Sequence, residues 1–91
     1  MFTGIIEETG KVDKVNLGMG EIVIHAKKVL EGTKIGDSIA VNGVCLTVTK
    51  TGSESFHADV MMETIRRTSL KNLKKGDKVN LERAMAADGR F

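Results

Sequence analysis

The 91-residue sequence predicts an all-β fold, a small antiparallel barrel or sandwich with one short helix. The first observation is a series of about six short segments in which apolar and polar residues alternate, spaced roughly ten residues apart. The second is that glycine marks the turns between them, since the chain has 10 glycines and no proline. The hydrophobic fraction of 41% is enough for one core, so residues 1–91 are expected to form a single domain.

The first half of the chain predicts three strands. Residues 2–15 are mostly compatible with a strand that its glycines bend, and residues 16–20 (NLGMG) suit a hairpin loop. Residues 21–26 (EIVIHA) alternate and predict the second strand. Residues 27–36 are expected to form a connection with one helical turn, and residues 37–41 to form a short third strand.

The middle of the chain predicts a tight hairpin. Asn42-Gly43 is a strong signal for a two-residue turn, because a type I′ turn needs positive φ at both central positions. We expect a strand at residues 44–51 after this turn. A second turn at residues 52–53 then leads to another strand at residues 54–61.

The end of the chain predicts a helix and a last strand. Residues 63–73 have a helix-like pattern, and residues 78–83 alternate as a strand does. The segment before this strand, KKGDKVNL at residues 74–81, echoes KIGDSIAV at residues 34–41. We interpret the echo as two similar Gly-Asp turns that each begin a strand, and not as a true repeat.

The strand at residues 44–51 carries the only cysteine of the chain. Side chains alternate between the two faces of a strand. The aliphatic face should pack into the core and holds Val44, Leu46 and Val48. The opposite face should point to the outer surface and holds Cys45, Thr47 and Thr49. The thiol is therefore not expected to fill the core.

The next strand supplies a second set of outward residues. Its inward face holds Phe56, Ala58 and Val60, and its outward face holds His57, Asp59 and Met61. If the two strands pair, Cys45, Thr47, Asp59 and Met61 form one semi-polar outer patch. Such a patch suits a flat heterocycle. The alternative is an ordinary strand exterior, on which Thr and Asp are common and an exposed Cys is incidental.

Composition argues against several classes of function. The formal net charge of +2 comes from scattered, mixed charges, and the only aromatic residues are three Phe. Neither feature favours binding of nucleic acid. The sequence has no apolar run of membrane-spanning length and no secretory signal at its start. A single cysteine cannot form an internal disulfide, so we expect a cytoplasmic protein.

The sequence has no recognisable metal or phosphate motif. Cys45, His25 and His57 lack the spacing of a zinc site, so no metal is expected. No dinucleotide fingerprint or P-loop occurs. The two histidines are interpreted as surface residues of strands, and no catalytic triad is indicated by spacing.

Four segments resemble the N-terminal half of the riboflavin synthase family. They are MFTGIIEETGKV at the start, VNGVCLTV in the middle, DVMMETIRRTSL after it and GDKVNLERAMAADGRF at the end. The resemblance covers essentially the whole chain. It implies a six-stranded Greek-key barrel, one of two in tandem in a trimeric enzyme. Such an enzyme dismutates two molecules of 6,7-dimethyl-8-ribityllumazine to riboflavin and 5-amino-6-ribitylaminouracil, without a metal or redox cofactor.

The resemblance also implies which residues contact the lumazine or flavin. The first group is Gly4, Ile5 and Ile6. The second group is Cys45, Leu46 and Thr47. The third group is Asp59, Val60, Met61, Met62, Glu63 and Thr64. Within these groups, Cys45 is the candidate for a polar or nucleophilic catalytic role, and Glu63 and Thr64 would meet the ribityl chain or cap the helix.

The chain departs from the family at its end. In the family a Gly-Gly-His-x-x-Ser-Gly-His segment and a second barrel follow, and both are missing after Phe91. We therefore expect an excised domain, as opposed to a naturally short module, that binds ligand with little or no turnover and forms a homodimer. A non-catalytic lumazine- or flavin-binding protein is the second hypothesis, and a generic nucleic-acid-binding barrel is the third.

Overall fold

Six antiparallel strands close into a barrel in the computed structural model, which describes residues 4–84. The strands are β1 (Glu8–Asn16), β2 (Glu21–His25), β3 (Ser38–Val41), β4 (Val44–Thr51), β5 (Ser55–Asp59) and β6 (Lys78–Arg83). Around the barrel they follow the order β1-β2-β5-β4-β3-β6, and β6 pairs again with β1. The consecutive strands β3, β4 and β5 lie side by side, and β6 returns to lie beside β3. This is a Greek-key arrangement, so the barrel is confirmed over the sandwich.

The hairpin between β3 and β4 has the predicted turn. Asn42 has φ of +50° and Gly43 has φ of +83°, as a type I′ turn requires. The predicted bounds of β4 and β6 match the structure. The predicted first strand was too long at its start, because residues 4–7 precede the strand and β1 begins at Glu8.

Helical structure is limited to one α-helix and three single 3₁₀ turns among the residues described. The helix is α1 (Met62–Arg67), and the turns span Leu17–Met19, Lys28–Leu30 and Ser69–Asn72. The prediction of one continuous helix over residues 63–73 is therefore wrong, because α1 ends at Arg67 and a separate 3₁₀ turn follows. Thr68 interrupts it with an extended backbone, at φ −129° and ψ 172°, and its Oγ accepts a hydrogen bond from the Leu70 amide at 3.2 Å. The Thr68 side chain thus begins a new turn.

The barrel interior is apolar and holds both predicted inward faces. Its most deeply buried side chains are Phe56, Ile22, Ile24, Ile39, Leu70, Leu81, Val12, Val29, Val41, Val48 and Val79. No polar or charged side chain among the residues described is buried there. Any polar function must therefore be on the outer wall or at the ends of the barrel.

The two Gly-Asp turns predicted from the sequence echo have the same hydrogen bonds. Oδ2 of Asp37 accepts from the Lys34 amide at 2.8 Å, and Oδ2 of Asp77 accepts from the Lys74 amide at 2.9 Å. In both turns the aspartate amide donates back to the lysine carbonyl at 3.0 Å. The echo is local chemistry that starts β3 and β6 in the same way.

Candidate functional site

The pairing of β4 with β5 places Thr47 opposite Asp59 on the outer wall. Thr47 is also in register with Ser38 of β3, and Asp59 with Glu21 of β2. Side chains in register across a sheet point to the same face. Ser38, Thr47, Asp59 and Glu21 therefore form one polar row across four strands of the barrel exterior.

Cys45 and Met61 widen this row into a patch. Cys45 lies two residues before Thr47 on β4 and shares its outer face, whereas Met61 lies beyond the end of β5 as the N-cap residue of α1. Cys45 is an exposed free thiol, and the Met61 side chain is 73% exposed. Alternation is confirmed for Cys45, Thr47 and Asp59, whereas the strand predicted over residues 54–61 ends at Asp59 and leaves Met61 exposed just beyond it. We call Cys45, Thr47, Asp59 and Met61 the outer patch.

The segment before β1 borders the outer patch on the β3 side. The Gly4 amide donates to Oε2 of Glu82 at 3.1 Å, and Ile5 next to it is 69% exposed. Gly4 and Ile6 line a cleft of about 310 Å³ together with Ala40 and Glu82. Ala40 is in register with Cys45, so this cleft begins one strand away from the thiol.

The start of α1 borders the outer patch on the other side. A second cleft of about 310 Å³ is lined by Met61, Glu63, Thr64, Arg67 and Thr68. Glu63 forms an exposed ion pair with Arg67 at 3.2 Å, one helical turn away. Neither Glu63 nor Thr64 caps the helix, because the N-cap residue is Met61 and no side chain accepts a cap hydrogen bond. The capping alternative for these two residues is therefore wrong.

Two of the predicted ligand contacts have their side chains in the core. Leu46 is buried, as alternation along β4 requires, and Val60, which follows the end of β5, is buried too. Any contact that they make with a ligand on the outer wall would use the backbone. The Val60 amide is already used, since it donates to the Gly20 carbonyl at 2.6 Å. For Met62, the structure describes the position in α1 but not the side chain.

An ion pair that sequence reasoning missed fixes the segment before β1. Arg83 Nη2 contacts Glu7 Oε2 at 2.7 Å, Arg83 Nε donates to Glu7 Oε1 at 3.0 Å, and Arg83 Nη1 donates to the Glu31 carbonyl at 2.7 Å. The hydrogen bond from Arg83 lowers the pKa of the Glu7 carboxyl, against the opposing effect of burial. The same hydrogen bond raises the pKa of Arg83. The residues are 76 positions apart, so no local pattern signals the pair.

Glu21 is a second residue that sequence reasoning left out of the site. It pairs in register with Asp59, and its Oε2 lies 3.4 Å from His57 Nδ1. His57 is on the outer side of β5, as predicted. Glu21 joins the polar row because the chain crosses over and places β2 beside β5. Alternation within a single strand does not predict which strands become neighbours.

The described residues include no obvious metal site or membrane helix. Within residues 4–84, no three His, Cys, Asp or Glu side chains are grouped in a way that could hold a metal ion. No helix in the same range is long and apolar enough to cross a membrane.

The fold is thus a closed six-stranded barrel whose outer wall has an exposed semi-polar patch between two clefts. The family model described as the lumazine binding domain matches residues 3–84. The chain belongs to this family, and the resemblance found in the sequence is confirmed.

Riboflavin synthases of several organisms are similar to the chain over its whole length. The chain is 60% identical to riboflavin synthase of Actinobacillus pleuropneumoniae and 57% identical to that of Bacillus subtilis. It spans 43% of each relative, corresponding to the N-terminal half. Among solved structures, LumP complexed with 6,7-dimethyl-8-(1'-D-ribityl) lumazine has a TM-score of 0.81 and 30% identity, covering 96% of this chain and 49% of LumP.

Proposed function

We propose that this chain is a lumazine- or riboflavin-binding domain of a riboflavin synthase and that the ligand lies on the outer patch. The observation that supports this is the register of Thr47 with Asp59, which puts these two side chains on the exposed face that Cys45 shares, with exposed Met61 just past the end of β5. The similar fold of LumP in complex with the dimethyl-ribityllumazine supports the choice of ligand.

Each part of the patch has a physical role in this proposal. The Thr47 hydroxyl and neighbouring backbone groups would form hydrogen bonds with the pyrimidine edge of the ligand. The polarizable Met61 side chain would contact the face of the ligand ring. The cleft at Glu63 and Thr64 would take the ribityl hydroxyls. On the other side, the backbone at Gly4 has no side chain and would allow close approach of the ring.

The reaction proposed for the whole enzyme needs two ligands. One lumazine loses a proton from its C7 methyl group, a nucleophile adds at C7 of the other, and a four-carbon unit passes between them. Holding the rings face to face would be the main task of the protein. Cys45 is the candidate in this chain for a polar or nucleophilic contact. Since the chain spans 43% of its relatives, we expect the domain alone to bind ligand with little or no turnover.

We further propose that the isolated domain forms a homodimer through this face and works in the cytoplasm. Ile5 and Ile6 are exposed at one border of the patch and Met61 is exposed within it, and exposed large apolar side chains are typical of docking surfaces. Sedimentation equilibrium at rising protein concentration tests the dimer. A species that stays monomeric throughout would contradict it.

Fluorescence titration tests the binding function. Riboflavin and then the dimethyl-ribityllumazine would be titrated with the purified chain, and we expect saturable quenching near one-to-one stoichiometry. Thr47→Val should raise the Kd about tenfold, because about that much affinity is lost with one hydrogen bond. Thr51→Val is the matched control, since Thr51 is exposed at the far end of the same strand. No quenching by either ligand with folded protein would contradict the proposal.

The second candidate is a non-catalytic lumazine- or flavin-binding protein. Identity favours the synthase, because the synthases match at 60% and 57% and LumP at 30%. Binding alone does not separate the two candidates. Detectable riboflavin formation after addition of the C-terminal half of a relative would support the synthase domain.

A further inference from the structure

A row of basic side chains crosses the barrel wall at the end away from the outer patch. Lys11 of β1 is in register with Lys78 of β6 on one side and with His25 of β2 on the other. The neighbours of Lys11 along β1, Gly10 and Val12, are buried, so Lys11 points outward. We call Lys78, Lys11 and His25 the cationic row.

The cationic row lines a surface cleft of about 560 Å³. Lys27, Thr9 and Glu8 also line this cleft. The Glu8 carboxylate is used elsewhere, since its oxygens accept from the backbone amides of Lys27 at 2.8 Å and Val29 at 2.9 Å. Within residues 4–84, none of the three lysines of the cleft forms an ion pair with a carboxylate.

This arrangement is electrostatically unfavourable in the folded chain alone. Like charges directly opposite each other on antiparallel strands destabilise the sheet, and Lys11 faces Lys78 in this way. Three lysines and one glutamate give the cleft a formal charge of +2, which equals the net charge of the entire chain. The cleft is therefore a local region of net positive charge.

The cleft is separate from the outer patch. Glu21, in the polar row, and His25, in the cationic row, are four residues apart on β2, which corresponds to roughly 13 Å along a strand. The two sites can therefore be occupied independently.

We propose that this cleft binds a small phosphate dianion, either inorganic phosphate or a phosphate monoester. The charge of such a ligand, about −1.5 to −2 near neutral pH, is opposite in sign and similar in size to the formal charge of the cleft. Lysine ammonium groups bind phosphate as point charges, and the Thr9 hydroxyl supplies a further donor. The bound dianion would relieve the repulsion between Lys11 and Lys78.

Amide chemical-shift titration with inorganic phosphate tests the proposal, with sodium chloride adjusted to hold ionic strength constant. We expect saturable shifts at Lys11, His25 and Lys78 and no shifts at Thr47. Titration with glycerol phosphate, a phosphate monoester, shows which of the two ligands the cleft prefers. Tighter binding of glycerol phosphate than of inorganic phosphate identifies a monoester site. Equal or weaker binding identifies a site for inorganic phosphate. Shifts that rise linearly without saturation, or that sodium chloride alone reproduces, would overturn the proposal.

Two double variants, K11Q/K78Q and its control K34Q/K71Q, complete the test. We expect K11Q/K78Q to lose at least tenfold in phosphate affinity, and K34Q/K71Q, which removes two exposed lysines that do not line the cleft, to bind as the parent chain does. Without phosphate, K11Q/K78Q should melt at the same temperature as the parent chain or higher, because the repulsion is gone. Unchanged affinity of K11Q/K78Q, or a lower melting temperature without phosphate, would contradict the argument.

Discussion

Glu7 and Arg83 join the two ends of the described chain through a two-pronged ion pair, with Nη2 to Oε2 at 2.7 Å and Nε to Oε1 at 3.0 Å. Arg83 is at the end of β6, and Glu7 directly precedes β1. The pair therefore positions the segment that carries Gly4 and Ile6 against the outer wall. Both side chains are largely shielded from water, so this pair should contribute more than an ordinary surface ion pair.

Glu7→Gln should destabilise the fold by about 1–3 kcal/mol at pH 7, as expected for a lost hydrogen-bonded charge pair. Because the pKa of Glu7 is lowered in the folded chain, its contribution is complete above the ordinary pKa of 4.5 and is lost as the pH falls through the folded-state pKa. Urea unfolding of both chains from pH 7 down to pH 3 measures this. The difference between them should shrink in the acid range.

Glu63→Gln is the matched control for Glu7→Gln. It breaks the exposed pair with Arg67, which should change the free energy of unfolding by no more than about 0.5 kcal/mol. Equal effects of the two substitutions, or a Glu7→Gln effect that does not vary with pH, would contradict the role given to the Glu7–Arg83 pair.

Gly20→Ala should destabilise the fold by about 2 kcal/mol or more. Gly20 has φ of +65°, and a Cβ there would lie 2.7 Å from the Val60 carbonyl oxygen. Gly18→Ala should cost less than about 0.5 kcal/mol, since its nearest contact would be 3.6 Å. Thermal unfolding compares the two. Similar melting temperatures for both variants would show that β2 and the end of β5 are not held as closely as described.

Asp37→Ala and Asp77→Ala should have similar effects, each of about 1 kcal/mol, because each removes the same turn hydrogen bond to a lysine amide. Asp13→Ala is the control, since the Asp13 side chain is exposed and its carboxylate accepts no hydrogen bond within residues 4–84. Urea unfolding of the three variants measures this. If one turn variant behaved like the control, the two turns would not be equivalent.

The Cys45 thiol should react with iodoacetamide in the folded chain, because it is exposed and is the only cysteine. Ligand on the outer patch should slow alkylation by mass action, about tenfold at a ligand concentration ten times Kd. Mass spectrometry of timed samples with and without the dimethyl-ribityllumazine measures the rate. An unchanged rate at saturation would mean that the ligand leaves the thiol uncovered.

Local patterns predicted those parts of the fold that depend on near neighbours. The Asn42-Gly43 turn, the bounds of β4 and the outward faces of β4 and β5 follow from turn chemistry and strand alternation within a hairpin. The break at Thr68 was not predicted, because the helix-like pattern continues across it. The helix ends there because the Thr68 side chain accepts a hydrogen bond from the Leu70 amide.

The borders of the site could not be predicted from local patterns. Ala40 faces Cys45 across the predicted hairpin, but Glu82 reaches the other side of Ala40 only because β6, far along the chain, pairs with β3. Glu21 reaches Asp59 through the crossover from β2 to β5. Such pairings arise when the barrel closes, and alternation within one strand contains no information about them.

The measurement that tests the central claim most directly is an amide chemical-shift titration with 6,7-dimethyl-8-ribityllumazine. We expect saturable shifts at Cys45, Thr47, Asp59 and Met61 and at the start of α1. Lys50 and Ser55, at the other ends of β4 and β5, should not shift. Saturable shifts confined to another face, or no shifts with folded protein, would contradict the placement of the ligand on the outer patch.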